Sequence, residues 1–345
     1  MNAPEFVVTR APFRISFAGG GTDLPSFYQR EFGAVVSSAI DKYVYVVVNT
    51  CRPILSGGID DPGRHRIRLS YSSTENVQTA DELSHPIVRE ALKFLDLDIP
   101  IDISSMADVP AGTGLGSSGT FSVALLHALH LVKGEQPGPD QLAEEAAHIE
   151  IDLLGRPVGK QDHYAAAFGG LNTIRFESNG QVDVRPMDTP GLADGQLFPN
   201  LMLFYTGVSR DASKVLEEQK SNVDSLMGEL MTIRGHAYEL DDLFRSGFNL
   251  DAFGAVLNET WLRKRKLSSP ISNCHIDRWY QQAVDAGALG GKISGAGGGG
   301  FLLLAVPSTG RSAVRQALSE LDELEIGYEP TGSQTLVRTD QVPVF

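Results

Sequence analysis

The chain has 345 residues, with 29 Lys and Arg against 43 Asp and Glu, for a net charge of -14. That balance argues against a nucleic-acid surface, which needs clustered basic residues, but leaves room for a local basic pocket. The only cysteines, Cys51 and Cys274, make neither a disulfide framework nor a zinc site.

Taken in chain order, 5-EFVVTR-10, 34-AVVSSAI-40, 43-YVYVVV-48 and 66-RIRLSYS-72 alternate or run apolar and predict strands. Helical spacing of apolar residues follows at 85-HPIVREALKFL-95, then a strand at 101-IDISSM-106. Helices are predicted near 117–132 and 139–154, and a hairpin at 171-LNTIRF-176 and 181-QVDVRP-186. The Pro-, Gly- and Asp-rich stretch 187-MDTPGLADGQLFP-199 predicts a loop and a domain boundary, giving units 1–190 and 191–345. The second unit opens with a strand, 200-NLMLFYT-206. Helical patterns then cover about 210–246, 250–263 and 275–287, followed by a strand at 299-GGFLLLAV-306 and a last helix and strand. Strands and helices mix in both halves, so the class is α+β or α/β. No basic and apolar leader occurs, and no apolar run nears the roughly 20 residues of a membrane span, so a cytoplasmic protein is expected.

Glycine clusters recur at 19-GGGT-22, 112-GTGLGSSG-119 and 295-GAGGGG-300. Bare backbone at a helix start favours anions, so the central cluster predicts a phosphate loop. It is not a Walker A loop, because no Lys follows its last glycine. Nor is it a dinucleotide loop, because no second strand ending in an acid follows. Ser117 and Ser118 stand where the loop becomes a helix. They can cap it, or a hydroxyl there can ligate Mg²⁺ held against phosphates.

Three segments carry a resemblance: 10-RAPFRISFAGGGTDLPSFY-28, 109-VPAGTGLGSSGTFSVALLHAL-129 and 292-KISGAGGGGFLLLAV-306. In this order and spacing they resemble the three motifs of the GHMP kinase superfamily, over nearly the whole chain. Within it, 18-AGGGTDLPSFY-28, 159-GKQDHYAAAFGG-170 and 205-YTGVSRDAS-213 look most like heptose 7-phosphate kinases. The resemblance implies an α+β fold of two domains with the active site in the cleft between them, ATP and Mg²⁺ as cofactors, and a small sugar phosphate as substrate. From charge and composition no nucleic-acid or membrane partner is expected, and a homo-oligomer is left open. Fucose, mannose or galactose as acceptor, or a non-catalytic sugar or nucleotide sensor on the same fold, remain alternatives.

On this resemblance Ala111, Gly112, Thr113, Gly114, Leu115, Gly116, Ser117, Ser118 and Gly119 bind the ATP phosphates. Asp162 matches the family aspartate facing the acceptor hydroxyl; otherwise it is a helix N-cap. Glu150, twelve residues earlier, matches a metal-binding glutamate and would share Mg²⁺ with Ser118; otherwise it is an exposed helix acid. Arg14 matches a catalytic arginine, or makes a structural salt bridge. Asp23 matches a sugar-binding aspartate, or braces a turn, with Gly20, Gly21 and Thr22 beside it. Galactokinases have a Glu-His pair where this chain has Gly20 and Gly21, which leaves space for a larger sugar. Gly169, Gly170, Gly295 and Gly297 are expected at the substrate. A substrate phosphate needs a basic anchor, and Lys160, Arg210 and Lys214 are the candidates, each otherwise a surface charge. His127 and His130 read as packing or surface residues, and His163 is less well placed than Asp162 as a base.

Overall fold

β1 (Phe6–Ala18) and β2 (Gly33–Asn49) are the longest strands and carry the larger sheet. The computed structural model describes residues 4–50, 66–187, 190–208, 213–268 and 271–339. The stretches expected as two strands at 34–40 and 43–48 form the single strand β2, because the intervening Asp41 and Lys42 continue the extended backbone. Its 17 residues let it pair twice beyond β1. Its first third runs antiparallel to β6 (Leu171–Phe176), and its last third runs antiparallel to β5 (Ile101–Ala107). β3 (Ile67–Ser70), β4 (Thr74–Val77), β7 (Val182–Pro186) and β12 (Gln334–Thr339) complete eight strands, ordered β12-β1-β2-β5-β3-β4, with β6 and β7 branching from β2.

α1 (Pro25–Tyr28) and α2 (Pro86–Phe94) are short. α3 (Ser117–Val132) packs on β1 and β2, flanked by α4 (Pro139–His148) and α5 (Gln161–Phe168). α3 is apolar nearly all round, as a helix buried on every side must be. The helix expected over 139–154 changes at Ile149 into a π-helical turn, Ile149–Leu153. The second sheet is antiparallel, ordered β11-β8-β10-β9, from β8 (Leu201–Tyr205), β9 (Gly290–Ile293), β10 (Phe301–Ala305) and β11 (Asp322–Glu323). Around it lie α6 (Ser213–Ser221), α7 (Val223–Ser246), α8 (Leu250–Lys264), α9 (Cys274–Asp285) and α10 (Arg311–Ala317). No helix among the described residues is long and apolar enough to cross a membrane.

The expected loop over 187–199 is more ordered than its composition suggests. Leu192, Ala193, Leu197 and Phe198 are buried in a π-helical turn and a 3-10 turn. The division at 190/191 does not follow the sheets to the end of the chain, because β12 returns to pair with β1 in the first sheet. The halves also share a core. Phe17 on β1 meets Phe253 on α8 at 5.4 Å and Phe244 on α7 at 6.3 Å, edge to face.

Candidate active site

The three glycine clusters line one cleft of about 590 Å³. The central loop runs from β5 into α3, whose N-cap is Gly116 at φ 87°. No side chain caps this helix end, so its first N–H groups are free for an anion. Ala111, Gly112, Gly114, Gly116, Ser117 and Ser118 line the cleft. Ser117 does not cap its helix; its Oγ is buried without a partner among the described residues. Thr113 and Leu115 are buried behind the loop, where the Thr113 hydroxyl donates to the Pro110 carbonyl at 2.9 Å. Gly114 has φ 83°, and a Cβ there would lie 2.5 Å from the Ser294 carbonyl oxygen. A Cβ on Gly295 would lie 2.6 Å from the Gly114 Cα, so the second and third motifs touch backbone to backbone.

Arg14 crosses from β1 into the cleft with its side chain only 2% exposed. Its guanidinium meets Asp162 Oδ1 at 2.6 and 2.8 Å and donates to the Gly114 carbonyl at 2.7 Å. Asp162 Oδ2 keeps no partner among the described residues and faces the cleft, with the side chain 26% exposed. Asp162 is not the N-cap of α5; that position belongs to Lys160, which forms no side-chain cap. Arg14 thus makes the salt bridge expected as one of its two readings, and its partner is Asp162. Gly116 and Gly119 leave room for this carboxylate: a Cβ on Gly119 would lie 2.8 Å from the Asp162 Cβ.

Asp23 lies beside this pair, buried but lining the cleft. Its oxygens accept from the N–H of Gly21 at 2.9 Å and of Gln161 at 3.3 Å, so it does brace its turn. Burial, then the nearby charge of Asp162, pushes its pKa up. The segment 159–162 wraps so closely that a Cβ on Gly159 would lie 1.9 Å from Asp23 Oδ2. Gly20, Gly21, Gly295 and Gly297 line the same space.

Glu150 is fully buried, which overturns its reading as an exposed helix acid. It continues the inward stripe of Leu142, Ala143, Ala146 and Ala147 at three- and four-residue steps. Ser122 Oγ (2.9 Å) and His163 Nε2 (3.1 Å) meet its Oε1, and Arg156 meets Oε2 at 2.9 Å. Burial alone would raise its pKa, but His163, Arg156 and Ser122 hold it down to about 2. His163 therefore stands behind Asp162 as a partner of Glu150, not in the cleft.

Several expected substrate contacts lie elsewhere. Lys160 turns into a separate groove, where it meets Glu144 at 3.1 Å and the Gly180 carbonyl at 2.9 Å. Residues two apart on a helix face different sides, so Lys160 and Asp162 cannot share the cleft. Thr22 is fully buried; its hydroxyl donates to the Gly19 carbonyl at 2.7 Å and accepts from the Ala34 N–H at 3.1 Å. Gly169 and Gly170 seat the returning chain: a Cβ on Gly169 would lie 2.1 Å from the Thr331 carbonyl carbon, and the Gly170 N–H donates to the Glu329 carbonyl at 2.9 Å. Arg210, the Lys214 side chain and Cys51 lie outside the described residues. Cys274 is free and exposed. His127 packs against Ser333 at 2.8 Å, and His130 is buried between Glu135 and Glu145. The sequence reading missed Arg156, Gln161 and Lys264 in the cleft wall, and a far wall that includes His85 and Phe121.

A capless helix end, a glycine loop and a carboxylate held by arginine are the parts that a phosphoryl-transfer site needs, here gathered in one cleft. Residues 86–170 match the GHMP kinases N terminal domain, and residues 240–323 match the GHMP kinases C terminal region. The D-glycero-alpha-D-manno-heptose 7-phosphate kinase of Campylobacter jejuni subsp. jejuni serotype O:2 is 30% identical over 332 residues, 93% of this chain and 94% of that one. The crystal structure of a D-glycero-D-manno-heptose 1-phosphate kinase from Bacteroides thetaiotaomicron is similar at TM-score 0.75 and 23% identity, over 96% of this chain and 99% of that one. Lactococcus lactis galactokinase complexed with galactose is similar at TM-score 0.73 and 18% identity, over 97% and 96%. The chain belongs to the GHMP kinase family, and its fold is the family's two-domain α+β fold.

Gly119→Ala tests the packing of α3 on Asp162. Alanine gains roughly 1 kcal/mol of helix propensity over glycine. Here it should give no gain in thermal midpoint and at least a tenfold loss of kinase turnover, because its methyl displaces Asp162. Unchanged ADP release with a raised midpoint would show that this contact does not position the carboxylate.

Proposed function

We propose that the protein transfers the γ-phosphate of ATP to the anomeric C1 hydroxyl of D-glycero-D-manno-heptose 7-phosphate, giving the 1,7-bisphosphate, a step towards nucleotide-activated heptose for surface polysaccharide. The observation that carries the reaction is Asp162, held through Oδ1 by Arg14 beside the uncapped start of α3. The heptose is supported by the 30% identity, over nearly the whole of both chains, to the D-glycero-alpha-D-manno-heptose 7-phosphate kinase of Campylobacter jejuni. The bare Gly20 supports a bulky sugar: the nearest atoms to a Cβ there are 3.9 Å away.

In this reading the N–H groups of Ser117, Ser118 and Gly119 receive the ATP phosphates, and the wall with His85 and Phe121 receives the base. Asp23 accepts hydrogen bonds from sugar hydroxyls with the lone pairs that Gly21 and Gln161 leave free. Oδ2 of Asp162 takes the proton of the C1 hydroxyl as its oxygen bonds to the γ-phosphorus. The bond from that phosphorus to the β–γ bridging oxygen breaks, ADP departs, and Asp162 returns its proton to solvent. Mg²⁺ would be held by Ser118 and Glu150 and would neutralise phosphate charge. Ser118 lines the cleft, and Glu150 is an ionised carboxylate buried behind it, with Oε1 held by Ser122 and His163 and Oε2 by Arg156 at 2.9 Å, so it would reach Mg²⁺ only on release from Arg156. Residues 1–190 with the returning β12 would act as one unit and the remainder as the other.

Phosphorus NMR of the product tests the acceptor position: the new phosphate should lie on C1, and a product phosphorylated at any other carbon defeats the proposal. Turnover of galactose but not heptose 7-phosphate would defeat the substrate.

Asp162→Asn should lower kcat by roughly 10²–10⁴-fold, the range for a general base. It should also lower the thermal midpoint, because the buried Arg14 loses its countercharge. Turnover is therefore read well below the midpoint, where a kcat within a few-fold of wild type would remove Asp162 as proton acceptor.

Glu150→Gln keeps the shape and removes the charge. Half-maximal activation should need at least tenfold more Mg²⁺, with sugar affinity little changed. A Mg²⁺ titration that superimposes on wild type would leave Glu150 as the partner of Arg156 and His163 alone.

A further inference from the structure

One cation in the cleft has no part in the reaction as drawn. Lys264 ends α8, lines the cleft and is 5% exposed. Its ammonium donates to the Gly295 carbonyl. The other cations of the described cleft wall are already engaged: Arg14 by Asp162 and Gly114, and Arg156 by Glu150. Lys264 alone among them has no carboxylate partner among the described residues, and two of its three N–H donors remain unmet.

A second observation lies in the same cleft. Ser294 Oγ and Gln161 Oε1 are both buried without a hydrogen-bond partner among the described residues, and both residues line this cleft. Buried polar atoms are nearly always paired, so the spare N–H donors of Lys264 call for an anion, while the Ser294 hydroxyl and the acceptor oxygen of Gln161 call for hydroxyl groups in the same cleft.

We propose that Lys264 binds a phosphate oxygen opposite Asp162, with Ser294 and Gln161 pairing hydroxyls beside it. The proposal rests on the sugar-phosphate kinase reading above and assigns a residue that reading leaves idle. Two sources present the same chemistry: the phosphate already on the acceptor, and the γ-phosphoryl group in transit. Lys160 fits neither, because its groove is also lined by Asp140, Glu144, Asp152, Glu177 and Asp183.

The setting of Lys264 supports an anion partner. Burial, then the charge of Arg14, pulls its pKa down to about 8, against the opposing pull of Asp23 and Asp162. Lys292 is the other lysine near it, buried on β9 with its pKa pulled well down by burial, and donating to the carbonyls of Ser16 at 2.7 Å and Phe17 at 3.3 Å. An ammonium so placed is charged below about pH 8 and loses its proton as pH rises through that value, so its grip on an anion weakens there.

The test uses the full chain with Lys264→Gln and Lys264→Arg. Calorimetric titration without ATP compares heptose 7-phosphate with unphosphorylated heptose, and steady-state kinetics follow for both. If Lys264 holds the acceptor's phosphate, the Gln variant binds heptose 7-phosphate roughly 10–100-fold more weakly, the loss of one charged hydrogen bond, and binds heptose as before. If it holds the group in transit, both acceptors bind as before and kcat falls by a similar factor for both. Either result supports the proposal, with partial rescue by Arg. Unchanged affinities and kcat in the Gln variant overturn it. So does a uniform loss that follows a lower thermal midpoint and is not restored by Arg. Inorganic phosphate with saturating ADP is an acceptor-independent probe: it should raise the midpoint of wild type and the Arg variant but not of the Gln variant. Equal shifts in all three overturn the Lys264 assignment even if heptose 7-phosphate is the substrate. A wild type that binds neither heptose defeats the substrate reading instead, and the phosphate shift still decides Lys264.

Discussion

A guanidinium exposed by only 2% cannot stand alone, and the cleft is arranged around that requirement. Withdrawing such a charge from water costs several kcal/mol unless a countercharge and further acceptors meet it. Arg14 is met by Asp162 and by the Gly114 carbonyl. These come from three places far apart in sequence: the first strand, the phosphate loop and the start of α5. Satisfying one buried charge therefore ties the central glycine loop to the Asp162 carboxylate. It also fixes the aim of that carboxylate, since Oδ1 is occupied by Arg14 and Oδ2 is left without a partner among the described residues.

The second constraint is the absence of side chains where the halves meet. The carbonyl of Thr113 would lie 2.2 Å from a Cβ on Gly300, and that of Ser294 2.5 Å from one on Gly114. Any side chain would part the two loops and open the cleft between them. The contact is backed by apolar packing, with Phe17 against Phe244 and Phe253, and by Lys292 reaching from β9 to the carbonyls of β1. Donors held this firmly need little rearrangement as charge develops, which is the usual source of catalytic electrostatics.

Much of this was legible in the sequence. The bounds of α3 could be read because the helix is apolar all round and glycine stands just before it. The convergence of the three glycine clusters followed from their resemblance to family motifs. Other parts had no local signal. β12 pairs with β1, at the opposite end of the chain, and nothing in its own residues names that partner. Gly169 and Gly170 looked like substrate glycines, but their partner is the returning chain. Lys160 and Asp162 share a segment yet point apart, which attention to helix geometry would have caught. Lys264 stands in 262-LRKRK-266, four basic residues in five, and composition cannot single it out. Periodicity can. Phe253, Leu257 and Trp261 form the buried stripe of α8, and the next step of that stripe is Lys264. Glu150 obeys the same rule on the stripe of α4. A charge on the apolar face of a helix is costly, and in both places the residue lies in or directly behind the cleft.

The charge distribution reconciles an acidic protein with an anionic substrate. The net charge of -14 is spread over the surface, and the groove around Lys160 is crowded with carboxylates that would repel a phosphate. The described cleft differs, with three cations, Arg14, Arg156 and Lys264, against the carboxylates of Asp23 and Asp162. Arg14 is neutralised by Asp162, and Arg156 by Glu150 behind the wall. Burial of Asp23 pushes it towards its neutral form, which further favours an arriving anion. What remains in the cleft is the uncapped start of α3 and Lys264. In the proposed reaction a phosphate held by both would lie in the same cleft as Asp162, so the arrangement that overcomes the protein's acidity would also bring the phosphoryl group near that carboxylate.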